Sequence, residues 1–148
     1  MSPLQLADFA DKMNEIMPIL LKEFARRQTK EVYKGKITLP QILILQFLSE
    51  EKSIKMTDIA RFMKVSTAAT TGIIDRLVKA GYLARIFEPS DRRIINIRIT
   101  PKGDELIKKI NQERRKFILN IFAKISEKDR KDYLRILLQI RDILDKEG

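Results

Sequence analysis

The 148-residue sequence predicts a mostly α (α+β) chain: a helix-turn-helix core with a two-stranded β wing, flanked by N- and C-terminal helices forming a dimerisation region. Three observations predict it. Apolar residues recur at spacings of three and four along most of the chain, the period of helices with one buried face. Two short helical segments, 57–63 and 67–79, are parted only by the turn "KVS". Directly after them come two strand-like runs, "YLARIF" (82–87) and "IINIRIT" (94–100), the second strictly alternating as a half-buried strand does.

The elements follow in order. "SPLQ" offers Ser2 as N-cap, Pro3 at the first helical position and Gln5 three residues on, a capped start. The helical pattern runs to about Tyr33, and Gly35 ends it. Pro18 lies inside, where its ring removes a hydrogen bond and clashes with the preceding turn, so a kink or break is expected near Met17. "TLPQ" repeats the capping logic with Thr38 and Gln41 and opens a helix buried through Leu39, Ile42, Leu45 and Leu48. "SIKM" reads as a loop. The first short helix turns Ile59, Ala60 and Met63 inward; Ile59, Met63, Val65 and Ile73 make the small core between the pair. Gly81 closes the second helix. "EPSDRR" supplies the turn formers Pro89, Ser90 and Asp91, which complete a hairpin.

Thr100 then caps a long helix with Pro101 at its first position and an apolar set from Leu106 to Ile125. Ser126 with Asp129 starts the last helix, whose set is Leu134, Leu137, Leu138, Ile140, Arg141 and Leu144. The organisation predicted is residues 1–37 and 104–148 as dimerisation helices around a winged helix-turn-helix domain at 38–103.

Composition narrows the function. The chain has no cysteine and no histidine, which removes disulfides, thiolate zinc sites and the commonest general base. No nucleophile–base pair, phosphate loop or metal set is present, so the sequence predicts neither an enzyme nor a cofactor nor a metal. No apolar run reaches the roughly 18 residues of a membrane span, and residues 1–30 lack a signal-peptide pattern. A cytoplasmic location is expected. Net charge is +10, from 30 basic and 20 acidic residues. Segments 55–81 and 82–103 each hold five basic and two acidic residues, so together they carry +6 of it. Such concentration favours a polyanionic partner.

The second short helix offers Ser66, Thr67, Thr70, Thr71 and Arg76 as its exposed set. Small hydroxyl side chains at a helix start enter a major groove without clashing and reach base edges or phosphates. A helix-turn-helix followed directly by a hairpin is a winged helix. Arg92 and Arg93 then stand at the wing tip, where a narrow, electronegative minor groove accepts arginine. Asp91 is placed to fix the rotamer of Arg93, and Arg98 faces out towards phosphates. Two other readings stay open: a winged helix used for protein–protein assembly, and a sequence-neutral architectural DNA binder.

The stretch from Met56 to Gly103 resembles the MarR family of winged-helix transcription regulators. The motifs that carry the resemblance are Asp75-Arg76-Leu77, Gly81, Asp91-Arg92-Arg93 and Ile99-Thr100-Pro101-Lys102-Gly103. The resemblance implies a wing arginine at Arg93 with Asp91 as its partner, and a phosphate-facing arginine at Arg76. It also implies that the end helices form an intertwined homodimer on a palindromic double-stranded site, most simply as a repressor. Surplus apolar residues such as Phe117, Ile118, Ile121, Phe122, Leu134 and Leu137 point to the same dimer, together with the stretch from Leu4 to Phe9. By the same resemblance a small aromatic or anionic effector is expected, with Phe24, Tyr33, Phe47 and Phe62 as candidate liners.

Overall fold

The structure is a computed structural model that describes residues 3–28 and 36–148. Ser2, Tyr33, Gly35 and the side chain of Leu4 lie outside what it describes. The chain divides into two compact units, Met1–Asn111 and Gln112–Gly148.

The first unit opens with helix α1 (Pro3–Arg26), which runs unbroken through Pro18. Of the kink or break expected near Met17, the break is absent: proline forfeits one hydrogen bond, and the bonds of the flanking turns carry the helix across. It also ends short of Tyr33, where Arg27 and Gln28 donate to the carbonyls of Phe24 and Ala25 in tighter, three-residue bonds.

Helix α2 (Leu39–Glu51) begins with the expected capping box, Thr38 accepting from Gln41 and Gln41 accepting from Thr38. Ile44, Leu45 and Leu48 are fully buried, whereas Leu39 is 67% exposed, because at about 100° per residue it lies across the helix from the line of Gln41 and Leu48. The α2 C-cap, Lys52, leads into a strand, β1 (Ser53–Lys55), where the sequence read a loop. Three residues are too few for alternation to stand out; Ile54 is half-buried between exposed Ser53 and Lys55.

Helices α3 (Met56–Met63) and α4 (Thr67–Lys79) form the helix-turn-helix. Ile59 and Ala60 are buried, so the small Ala60 sits where the helices meet. Lys64 turns the chain with φ +56°, the left-handed region, its N–H on the Arg61 carbonyl. Val65 is 42% exposed and lies outside the small core assigned to it, because the tight turn carries it to the surface.

Strands β2 (Leu83–Phe87) and β3 (Ile95–Ile99) make the wing, and the sheet order is β1-β3-β2, all antiparallel. Ile97 pairs with Ile54 on one side and Arg85 on the other, and is fully buried. Ile95 and Ile99 pack at the margin of that core, with Ile74, Leu77, Leu83, Leu106, Ile107 and Ile110 inside it. Helix α5 (Pro101–Phe122) starts against this core. Gly103 in its first turn approaches Tyr82 so closely that a Cβ would lie 2.3 Å from the Tyr82 carbonyl oxygen.

In the second unit the remainder of α5 leads to α6 (Glu127–Glu147). Ser126 caps α6 by accepting from the Asp129 N–H. Arg130 donates to the carbonyls of Phe122 and Ile125, closing the turn, and the Phe122 and Tyr133 rings lie 5.5 Å apart. No residue of α6 is buried.

Candidate nucleic-acid interface

Helix α4 is anchored by one line of side chains. Thr70, Ile74 and Leu77, spaced four and three apart, are buried to 1% exposure or less. Thr70 was expected on the exposed face and is not there. Its hydroxyl donates to the Ser66 carbonyl at 3.0 Å, and with that polar group satisfied the residue packs as an apolar one. At about 100° per residue, the face opposite this line carries Ala68, Gly72, Asp75, Arg76 and Lys79.

The other hydroxyls hold intermediate places. Ser66 is the N-cap, accepting from the Ala69 N–H at 3.1 Å, and it stays exposed. Thr67 is exposed; Thr71 is half-buried on the flank of the helix and donates to the Thr67 carbonyl at 2.8 Å. Its oxygen keeps acceptor capacity. Arg76 is exposed at the outer face. Asp75 beside it pairs with Arg85 of β2, which ties the recognition helix to the wing. Residues ten apart on different element types give no periodic signal, so Arg85 was not singled out from sequence.

At the C-terminal end of α4 the chain turns through Gly81 (φ +84°), where a side chain would be strained. The Tyr82 N–H reaches the Leu77 carbonyl and the Gly81 N–H that of Val78, the double bond of a Schellman cap. Thr100 donates to the Gly81 carbonyl at 2.6 Å and accepts from the Gly103 N–H at 3.2 Å. Lys102 adds its ammonium to the Ala80 carbonyl at 2.7 Å. One junction thus fixes the recognition helix, the exit of β3 and the start of α5.

The wing tip is the loop 88–94, closed by the Glu88 N–H on the Ile94 carbonyl. Asp91 there grips Arg93: its Oδ1 accepts from the backbone N–H and from Nε, both at 3.0 Å, and its Oδ2 from Nη2 at 3.1 Å. The pairing expected from sequence is present. The side chain of Arg93 is nonetheless 91% exposed. Arg93 holds the Asp91 carboxyl below its ordinary pKa of 3.8, and Asp91 raises that of Arg93 in return. Arg92 is exposed beside it, and Arg98 is exposed on β3. At the base, Asn96 donates to Glu88 at 2.6 Å across the hairpin.

Of the candidate effector liners, Phe47 and Phe62 come together, with parallel rings 4.0 Å between centroids. Phe24 is 42% exposed on α1, and Tyr33 lies outside the described residues. Phe47 borders an open cleft of about 420 Å³ whose charged lining is Glu51, Asp58 and Lys55. Two acids against one base make it a poor seat for an anion. Among the described residues no cluster of His, Cys, Asp and Glu has metal-binding form, and no helix is long and apolar enough to cross a membrane.

Comparison with known proteins places this arrangement among others. A sequence profile described as the MarR family matches residues 37–95. The chain is 28% identical over 136 residues to the uncharacterized HTH-type transcriptional regulator YpoP of Bacillus subtilis, covering 90% of this chain and 94% of the other. It is 26% identical over 110 residues to the HTH-type transcriptional repressor MdtR of the same organism, covering 74% and 71%. A solved MarR family protein from Bacillus stearothermophilus superposes with a TM-score of 0.76 at 23% identity, over 98% of this chain and 99% of that one.

Proposed function

We propose that this chain, whose residues 37–95 match the MarR family model, is a DNA-binding transcription regulator, a homodimeric repressor that occupies a palindromic operator. The observation that carries this reading is the wing tip. An arginine that is 91% exposed yet held by three hydrogen bonds from its own loop is shaped for an external anion. The open face of α4 enters the major groove with Thr67, Thr71 and Arg76 at its edges and Ser66 at its start. Arg92 and Arg93 enter the adjoining minor groove, and Arg98 meets the backbone. Residues 1–37 and 104–148 supply the dimer contacts. The related repressor supports the sign of the regulation.

A small flat effector is part of this proposal. Phe47 gives the cleft an aromatic edge that suits it, while the acidic lining argues for a neutral or cationic molecule over an anionic one. A cytoplasmic location is consistent with work on DNA and with the lack, among the described residues, of a helix long and apolar enough to cross a membrane.

Selection of bound duplexes from random DNA tests the proposal. The expected product is an imperfect inverted repeat with half-site centres about 10 base pairs apart, one turn of the duplex. An asymmetric consensus defeats the symmetric docking, and a protein that any competitor DNA titrates equally is an architectural binder instead.

A further inference from the structure

The described glycines inside the fold have unequal reasons to be glycine. Gly81 has φ +84°, and Gly103 has no room for a Cβ. Gly72 has neither reason. It lies in the middle of α4, and a Cβ there would meet nothing within 4 Å. Glycine in a helix interior loses backbone entropy that alanine would not, so the folded chain is weakened by this residue and gains nothing visible from it.

Its position says what gains. Measured from the buried line Thr70–Ile74–Leu77, Gly72 lies at about 190° around the helix, at the outermost point of the recognition surface. Lys79 and Ala68 lie on the same line, and Arg76 stands to one side. Of the candidate contact hydroxyls, Thr71 lies on the flank, and Thr67, exposed in the first turn, lies nearer the buried line. A helix seated in a groove with its outermost residue lacking a side chain can sink until its backbone meets the bases, and only then do flanking side chains reach them.

We propose that Gly72 is the point of closest approach between the recognition helix and the DNA, and so a specificity-determining residue of this protein. The claim rests on the DNA-binding reading above. A methyl group at this point holds the helix away from the groove floor and lifts Thr67, Thr71 and Arg76 together.

The test uses the full chain and the duplex that wild type selects from random DNA. Gly72→Ala is expected to raise the thermal midpoint by about 2–4 °C, as removal of a helix-interior glycine does in a chain of this size. It is expected to weaken binding to the selected site about tenfold or more, and to weaken non-specific DNA much less, so that the specificity ratio falls. The salt dependence of binding stays unchanged, since no charge is altered. Binding of the selected site at wild-type strength overturns the proposal. So does an equal loss on specific and non-specific DNA, which would make Gly72 a backbone neighbour only, and so does a lowered midpoint, which would give the glycine a folding role. Should wild type itself select no duplex, the DNA-binding reading fails first and this one with it.

Discussion

Arg93 shows how much one residue is asked to do. Its head is fixed before any partner arrives, so contact with a groove costs little further side-chain entropy. Arg93→Ala is expected to weaken operator binding by about 1–3 kcal/mol per subunit, and to reduce the slope of log affinity against log salt by about 1 per subunit. Filter binding across a salt series measures both, and an unchanged slope removes the wing from the interface. Asp91→Ala should lose less, since it loosens the arginine without deleting it. The same clamp has a pH signature. A carboxyl whose pKa is depressed by folding contributes above its ordinary value of 3.8, and that contribution vanishes as pH falls through the lower folded value. NMR titration should therefore place the Asp91 midpoint below 3.8, and Arg93→Ala should return it upwards. At neutral pH the clamp is closed. This pair was legible in sequence because its members are two residues apart in a turn. The burial of Thr70 has a sequence signal, since it shares the 3-and-4 phase of Ile74 and Leu77, although its hydroxyl marks it as a surface residue type.

Among the elements, the junction of α4, β3 and α5 decides whether helix and wing keep one geometry. The last motif residue there, Gly103, is explained by contact: α5 can start against Tyr82 only without a Cβ. Gly103→Ala is expected to destabilise the fold by about 1–3 kcal/mol, the range for overpacking. Urea denaturation gives the sign, and a neutral or stabilised variant contradicts the close approach. Caps and turns were the elements best read in advance. Thr38 with Gln41, Gly81, Thr100 and Ser126 all stand where their residue types place them, because capping is a local exchange of hydrogen bonds. Strand β1 was missed because its reason to exist is remote: it is held by β3, more than forty residues on. Of the kink or break expected at Pro18, no break occurs, because neighbouring turns outvote one residue.

For the whole molecule, the unresolved account is apolar surface. Leu6, Phe9, Ile19 and Leu21 on α1 are each more than half exposed, as are Leu134, Ile143 and Leu144 on α6. Burial of such side chains is worth about 1.5–3 kcal/mol each, so a single chain leaves a large driving force unused. Sedimentation equilibrium is expected to return about twice the 17.3 kDa chain mass at micromolar concentration; a species of single-chain mass refutes the dimer. If the dimer is obligate, charge at exposed Ile118 or Leu137 should unfold the chain and not merely part it. The surplus was visible in sequence as apolar faces wider than one small domain buries; what covers them is a question of a second chain, which no single-chain periodicity answers.

The sheet order β1-β3-β2 has a mechanical side. Because β1 is continuous with the end of α2 and bonded along residues 96–98 of β3, β3 is paired along both its edges at the root of the wing, while beyond Ile95 and Phe87 the hairpin has only itself. The wing is therefore a cantilever: rigid to its last paired rung, compliant only over the loop from Glu88 to Ile94. In the proposed complex its arginines would shift to follow the local width of a duplex, while their bearing relative to α4 would be set by the mounting.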